Sequence, residues 1–180
     1  MSTELPQRTH SIRRGCRITI VAATYNEQFT DALVENCLAE LQEADSLIDV
    51  DVVRVPGAYE VPMVVRHAIV TPAEDYRPDA VIALGVILRG STAHADLIGT
   101  AITNKLLDIS CETLVPVIHE VLLLQDEQQA FARCIASALN RGREAARSAI
   151  NMVNVMDERK DAIRIAQRSA RVNLHGSLLS

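Results

Sequence analysis

The chain has 180 residues, of which 48% are apolar and only 3% aromatic, and its formal net charge is −5. That length supports one domain with a substantial core, without disulfides or a structural metal. An acidic body argues against nucleic acid as a partner, and no apolar run approaches the ~20 residues that span a bilayer, so a membrane protein is not expected either.

The charge is unevenly spread. Arg8, Arg13, Arg14 and Arg17 make the amino-terminal end basic, the last two dozen residues are basic as well, and the acidic excess lies between. No apolar stretch follows Met1, so no secretory leader is expected and the expected compartment is the cytoplasm. Cys16, Cys37, Cys111 and Cys134 show no C-x-x-C spacing and no nearby histidine cluster. Reduced thiols are therefore expected, with neither a metal site nor a disulfide framework.

In chain order, residues 1–14 read as a flexible polar tail. Ile18 to Ala23 is an apolar strand, followed by a helix over Glu27 to Ala44 in which Phe29, Leu33, Cys37, Leu38 and Leu41 recur at helical spacing. Val50 to Val55 is a second strand, leading through Pro56-Gly57 into a helix over Tyr59 to Val70. Ala80 to Leu84 is a third, followed by a helix over Ala93 to Ile109. Val115 to Leu124 is a fourth, leading to a long helix over Glu127 to Val155 with a break at Asn140-Arg141-Gly142. Lys160 to Ser180 either continue that helix or leave it. Strands alternating with helices every 30–35 residues predict an α/β fold, with a four-stranded, mostly parallel sheet covered by helices on both faces. With few aromatic residues, the core must be Val, Ile, Leu and Ala, as in a parallel sheet buried on both sides. The expected organisation is a tail (1–14), one domain (15–156) and a carboxyl-terminal extension (157–180).

The segment Gly85 to Asp96 carries the most chemistry. Two glycines, Ser91, Thr92 and His94 stand where a strand is expected to hand over to a helix. Backbone N–H groups and the positive end of a helix dipole make such a junction a seat for phosphate, and a histidine one turn on can move protons. A plain turn, with glycine for geometry and Ser/Thr as caps, is the alternative. In an open parallel sheet ligands bind beyond the carboxyl ends of the strands. Those ends should bring together Thr24-Tyr25-Asn26, Pro56-Gly57-Ala58-Tyr59-Glu60, the Gly85–His94 segment and a region after Val117 that contains His119. Each has a structural alternative: Tyr25 as a packing residue, Glu60 as a carboxylate favoured at a helix start, and His119 with Glu120 as a satisfied pair.

Tyr25-Asn26, Val55-Pro56-Gly57-Ala58-Tyr59-Glu60-Val61-Pro62 and Gly85-Val86-Ile87 … Gly90-Ser91-Thr92-Ala93-His94, in this order and spacing, resemble 6,7-dimethyl-8-ribityllumazine synthases. Pro116-Val117-Ile118, Gln129-Ala130, Arg133 and Asn140 to Ala146 are similar to the later part of that family. The resemblance covers roughly residues 15–156. It implies a three-layer α/β/α sandwich of flavodoxin-like strand order, with an amino-terminal strand shared with a neighbouring subunit. The implied reaction is a transferase step of riboflavin biosynthesis. It condenses 5-amino-6-(D-ribitylamino)uracil with 3,4-dihydroxy-2-butanone 4-phosphate to 6,7-dimethyl-8-ribityllumazine, releasing phosphate and water, with no metal or organic cofactor.

By the same resemblance, His94 is the proton-transfer residue and Arg133 acts beside it in catalysis and in phosphate binding. Gly90, Ser91 and Thr92 complete the phosphate loop. Tyr25, Asn26, Gly57, Ala58, Tyr59, Glu60, Val86, Ile87 and His119 hold the pyrimidine and its ribityl chain. The family's sites lie between subunits of a homopentamer, which in many members builds an icosahedral 60-mer capsid, and riboflavin synthase is an implied partner. Residues 133–142 carry no insertion of the kind found in pentamer-only members. The chain departs from the family at His119, where an aromatic residue is usual, and at Glu120, where Gly is common. It departs again at Leu123-Leu124, where small hydroxyl residues are frequent, and in its longer carboxyl-terminal segment. A non-catalytic flavin- or lumazine-binding shell on the same fold is the alternative function. A nucleotide-binding domain unrelated to riboflavin ranks last, since the chain has no G-x-G-x-x-G or P-loop fingerprint.

Overall fold

A computed structural model describes residues 6, 7, 15–45 and 47–177. The expected amino-terminal tail and shared amino-terminal strand lie almost wholly outside the described residues. Four strands, β1 (Arg17–Ala23), β2 (Asp49–Val55), β3 (Ala80–Leu88) and β4 (Val117–Leu124), form one sheet in the order β2-β1-β3-β4. Every pairing is parallel. Helices α1 (Glu27–Ala44), α2 (Val61–Val70), α3 (His94–Thr113), α4 (Glu127–Ala130) and α5 (Arg141–Ser177) complete the three layers.

Alternation along the strands sorts the core into two halves. Ile18, Ile20 and Ala22 of β1 point with Ile82 and Leu84 of β3 towards α1 and α5, where they meet Leu33, Cys37, Ala146 and Ile150. Val21, Val81 and Ala83 point the other way, onto Val61 and Val65 of α2 and Ile102 and Leu106 of α3. The α5 start approaches α1 closely. A methyl group on Gly142 would lie inside van der Waals contact of the Leu33 carbonyl oxygen and 3.1 Å from the Cys37 amide nitrogen. Farther along, Arg147 Nε donates to Glu40 Oε1 at 2.8 Å, and Arg143 Nε to Asn36 Oδ1 at 3.3 Å.

Two boundaries near the site differ from the expectation. β3 continues four residues past Leu84, so Gly85 is inside the strand rather than in a loop. A Cβ there would stand 3.3 Å from Val121 Cγ1, so the missing side chain leaves room for β4 packing. The long last helix breaks near the anticipated place, but as a π-helix at Phe131–Ile135 and a turn before Arg141. The carboxyl-terminal segment continues α5 without interruption to Ser177.

Candidate active site

The carboxyl ends of β1, β2 and β3 enclose a cavity of about 380 Å³. Tyr25, Asn26, Gly57, Ala58, Tyr59, Glu60, Val86, Ile87 and His94 line it, joined by Leu88 and Ile98. Backbone hydrogen bonds lock its walls together. Thr24 N donates to Val55 O at 2.8 Å and Tyr25 N to Pro56 O at 3.1 Å, so the loop after β1 is tied to the turn after β2. Asn26 takes the left-handed conformation (φ 58°) that Asn tolerates. Its side-chain amide is spent on Val86 O at 2.8 Å, which fixes this loop to β3 and leaves α1 without a side-chain cap.

The Gly57 turn is as closely fitted. Glu60 Oε2 accepts from the Gly57 N–H at 3.0 Å, leaving the other carboxylate oxygen uncommitted by this bond. A Cβ on Gly57 would meet that oxygen at 3.0 Å and the Tyr25 ring at 3.1 and 3.2 Å, so only glycine lets the ring lie against the turn. Tyr25 and Tyr59 are both largely exposed, at 68% and 67%, so neither ring is a core residue.

Beyond Leu88 the chain turns through Arg89-Gly90-Ser91-Thr92 into α3. Arg89 N donates to Leu124 O at 2.9 Å, and its guanidinium pairs with Asp96 in the first turn of α3. This brackets Gly90, Ser91 and Thr92, which are exposed beside His94. The N-cap is Ala93 and no side chain caps α3, which corrects the reading of Ser91 and Thr92 as caps. The first-turn N–H groups of this 20-residue helix therefore have no side-chain cap, and an anion is favoured there; Gly90, Ser91 and Thr92 themselves do not line the cavity.

Arg133 and His119 do not join this cavity. Arg133 lines a second, mostly apolar cleft of about 460 Å³ with Leu124, Gln129, Ala132, Ala136, Ala138 and Leu139. His119 is the third residue of β4, opposite Ala83, whereas the carboxyl edge of β4 is Leu124, opposite Leu88. The expectation that His119 lies in a strand-end loop is therefore corrected: the polar His-Glu pair does not interrupt the strand. His119 and Glu120 do not form a pair, because alternation sends them to opposite faces. His119 Nδ1 accepts from Val121 N at 3.1 Å, and Nε2 stands 2.8 Å from Thr103 Oγ1 on α3. Thr103 Oγ1 in turn donates to Gly99 O at 2.8 Å. With Nδ1 accepting, the neutral ring carries its proton on Nε2 and donates to Thr103. Burial lowers the His119 pKa, which favours that neutral form.

Glu120 faces α5. Burial pushes its carboxyl up to about 7; Glu144 adds to the shift, and Arg141 and Arg133 oppose it. The same carboxyl helps burial raise the Cys134 thiol to about 12, while burial raises Cys37 further still, so both are inert thiols. Cys37, Cys111 and Cys134 are free thiols. Among the described residues no group of three or more His, Cys, Asp or Glu side chains is placed to hold a metal ion, and no helix is long and apolar enough to cross a membrane.

Residues 15–157 match the family described as 6,7-dimethyl-8-ribityllumazine synthase. The chain belongs to that family. Proteins named 6,7-dimethyl-8-ribityllumazine synthase from Nitrobacter hamburgensis and Thermococcus gammatolerans are each 37% identical to it. The first match covers 78% of this chain and 86% of the relative, the second 81% and 90%. A third relative of that name, from Chlorobium phaeobacteroides, is 39% identical over 79% of this chain and 90% of its own. Lumazine synthases are transferases of riboflavin biosynthesis, and this chain is an enzyme of that kind.

Sequence reasoning missed Leu88 and Ile98 in the cavity. Ile98 follows His94 by four residues on α3, a spacing that places both on one helix face. Leu88 was hidden because Gly85 read as the strand's end.

Proposed function

We propose that the protein condenses 5-amino-6-(D-ribitylamino)uracil with 3,4-dihydroxy-2-butanone 4-phosphate, giving 6,7-dimethyl-8-ribityllumazine, phosphate and water. The observation that carries this reading is the single cavity that joins an exposed tyrosine ring, a carboxylate-braced glycine turn, a histidine and an uncapped helix start. Tyr25 stacks on the flat pyrimidine, and Asn26, Val86 and Ile87 frame it. Gly57-Ala58-Tyr59-Glu60 receive the ribityl chain, whose hydroxyls find backbone groups and the remaining Glu60 oxygen. Gly90, Ser91, Thr92 and the first turn of α3 take the phosphate, with Arg133 gripping it through two parallel hydrogen bonds.

His94 stands between the two halves and moves the protons. The pyrimidine amine adds to the ketone and a first water leaves to form an imine; phosphate is then eliminated to leave a new carbonyl, onto which the ribitylamino nitrogen closes the ring with loss of a second water. An imidazole can both accept and donate near neutral pH, as these steps require. Holding the two substrates together supplies much of the remaining acceleration as saved entropy. The chain's own residues suffice for this chemistry, with no metal or organic cofactor.

Because Arg133 and His119 do not line the cavity of their own chain, the reading requires a neighbouring copy to complete each site. Exposed apolar residues on α2 and α3 (Met63, Leu97 and Leu107) and Phe131 beside Arg133 support such packing. The assembly is a homopentamer, extended to a 60-mer capsid, acting in the cytoplasm alongside riboflavin synthase. A chain with free thiols at Cys37, Cys111 and Cys134 suits that compartment.

The test follows lumazine fluorescence and phosphate release together, against an enzyme-free control. Both should appear faster with the enzyme, and His94→Ala should cut the rate by about 10²–10⁴-fold, the usual worth of a positioned acid–base group, without changing assembly. Binding of the pyrimidine or a flavin with no acceleration would contradict the reading and favour a binding shell.

A further inference from the structure

We propose that Asn140 is the positioning residue for Arg133, holding the π-helix that presents the guanidinium against the start of α5. The inference rests on Arg133 as a phosphate-binding residue. Arg133 sits in the middle of the π-helix Phe131–Ile135, a wide turn whose last carbonyls have no continuing helix to receive them. The chain then makes an abrupt turn in which Leu139 takes a left-handed conformation (φ 56°), unfavourable for a residue with a side chain. Asn140 follows and is fully buried, at 0% exposure.

Its side chain bonds in two directions. Nδ2 donates to Cys134 O at 2.7 Å and to Ala136 O at 3.3 Å, binding the end of the π-helix. Oδ1 accepts from Gly142 N at 3.0 Å and Arg143 N at 3.3 Å, capping α5. The Asn140 carbonyl meanwhile accepts from Glu144 N at 3.1 Å, opening the α5 ladder. One side chain thus fixes the residue next to Arg133 to a helix that Gly142 seats tightly on α1. Ser or Asp could cap α5 equally well, but neither donates to Cys134 O in this geometry. The amide half is therefore unneeded for starting the helix, and its work lies on the Arg133 side.

The experiment separates the two halves. Asn140→Asp keeps the acceptor for α5 and loses the donor. It should lower the melting temperature by several degrees, because a buried carboxyl then faces the Cys134 and Ala136 carbonyls, while leaving assembly intact and kcat and the pyrimidine KM within about twofold. The KM for the phosphate substrate and the inhibition constant of inorganic phosphate should rise about tenfold, as a misplaced binding group costs. Asn140→Ser should do the same without adding charge. In an Arg133→Ala background neither change should add a further loss. Equal losses for both substrates, or an unchanged phosphate KM in a folded variant, would overturn the proposal. Failure of both variants to fold would overturn it too, making Asn140 a determinant of folding. If Arg133→Ala itself spares phosphate binding, the role of Arg133 fails, which is a separate result.

Discussion

The two ends of the sheet are built differently. Between β1, β2 and β3 the strand ends close a cavity within one chain, with walls tied together by Tyr25 N on Pro56, Asn26 on Val86 and Glu60 on Gly57. On the β4 side the functional side chains diverge instead. Arg133 opens into its own cleft, His119 is bound to α3, and Glu120 is turned into a charged cluster under α5. The first region can hold a ligand by itself. The second leaves Arg133 in a cleft of its own, apart from that cavity. In the proposed function, this asymmetry is what a site shared between copies requires.

The harshest way to break the comparison is at the joint that supports the β4 side. Gly142→Ala forces a methyl into the Leu33 carbonyl, where backbone cannot yield, and should cost about 3 kcal/mol. In a chain of this size that corresponds to roughly 6–12 °C in thermal midpoint, readable by calorimetry. The phosphate end should lose function before the Tyr25 end does.

Glu120 gives the next effect. Its folded pKa of about 7 lies above the ordinary 4.5, so the fold favours the protonated acid. The stabilising contribution is complete below pH 4.5 and is lost as pH rises through 7. Glu120→Gln, which cannot ionise, should match the parent at acid pH and exceed it by about 2–3 kcal/mol at pH 8 in denaturant titrations. A constant difference across pH would remove Glu120 from the cluster. The smallest effect belongs to the cavity side. Gly57→Ala should displace the Tyr25 ring and raise the pyrimidine KM about fivefold, near 1 kcal/mol, with the phosphate KM unchanged.

The same contrast explains what could be read in advance. The cavity side was legible because its residues follow short apolar strands, and α1 and the end of β2 fell where the periodicity put them. Local pattern failed where a contact distant in sequence decides the backbone. Gly85 continues β3 because Val121 packs over it, and no apolar count reveals that. His119 is expected near a strand end, but pairing with Ala83 sets it in the third position of β4, five residues before the carboxyl edge at Leu124. The π-helix around Arg133 depends on Asn140, a residue the motif suggested only as part of a helix break. No periodicity distinguishes a π-turn from an α-turn.

The central claim is that one chain's His94 works with another chain's Arg133. His94→Ala and Arg133→Ala, unfolded together, reassembled at equal amounts and assayed with the phosphate substrate far below the raised KM of Arg133→Ala, test it most directly. In a ring with head-to-tail contacts, random mixing puts an intact pair at about one site in four, so activity should recover to roughly a quarter of the parent level. Recovery no greater than the sum of the two variants alone would contradict the account.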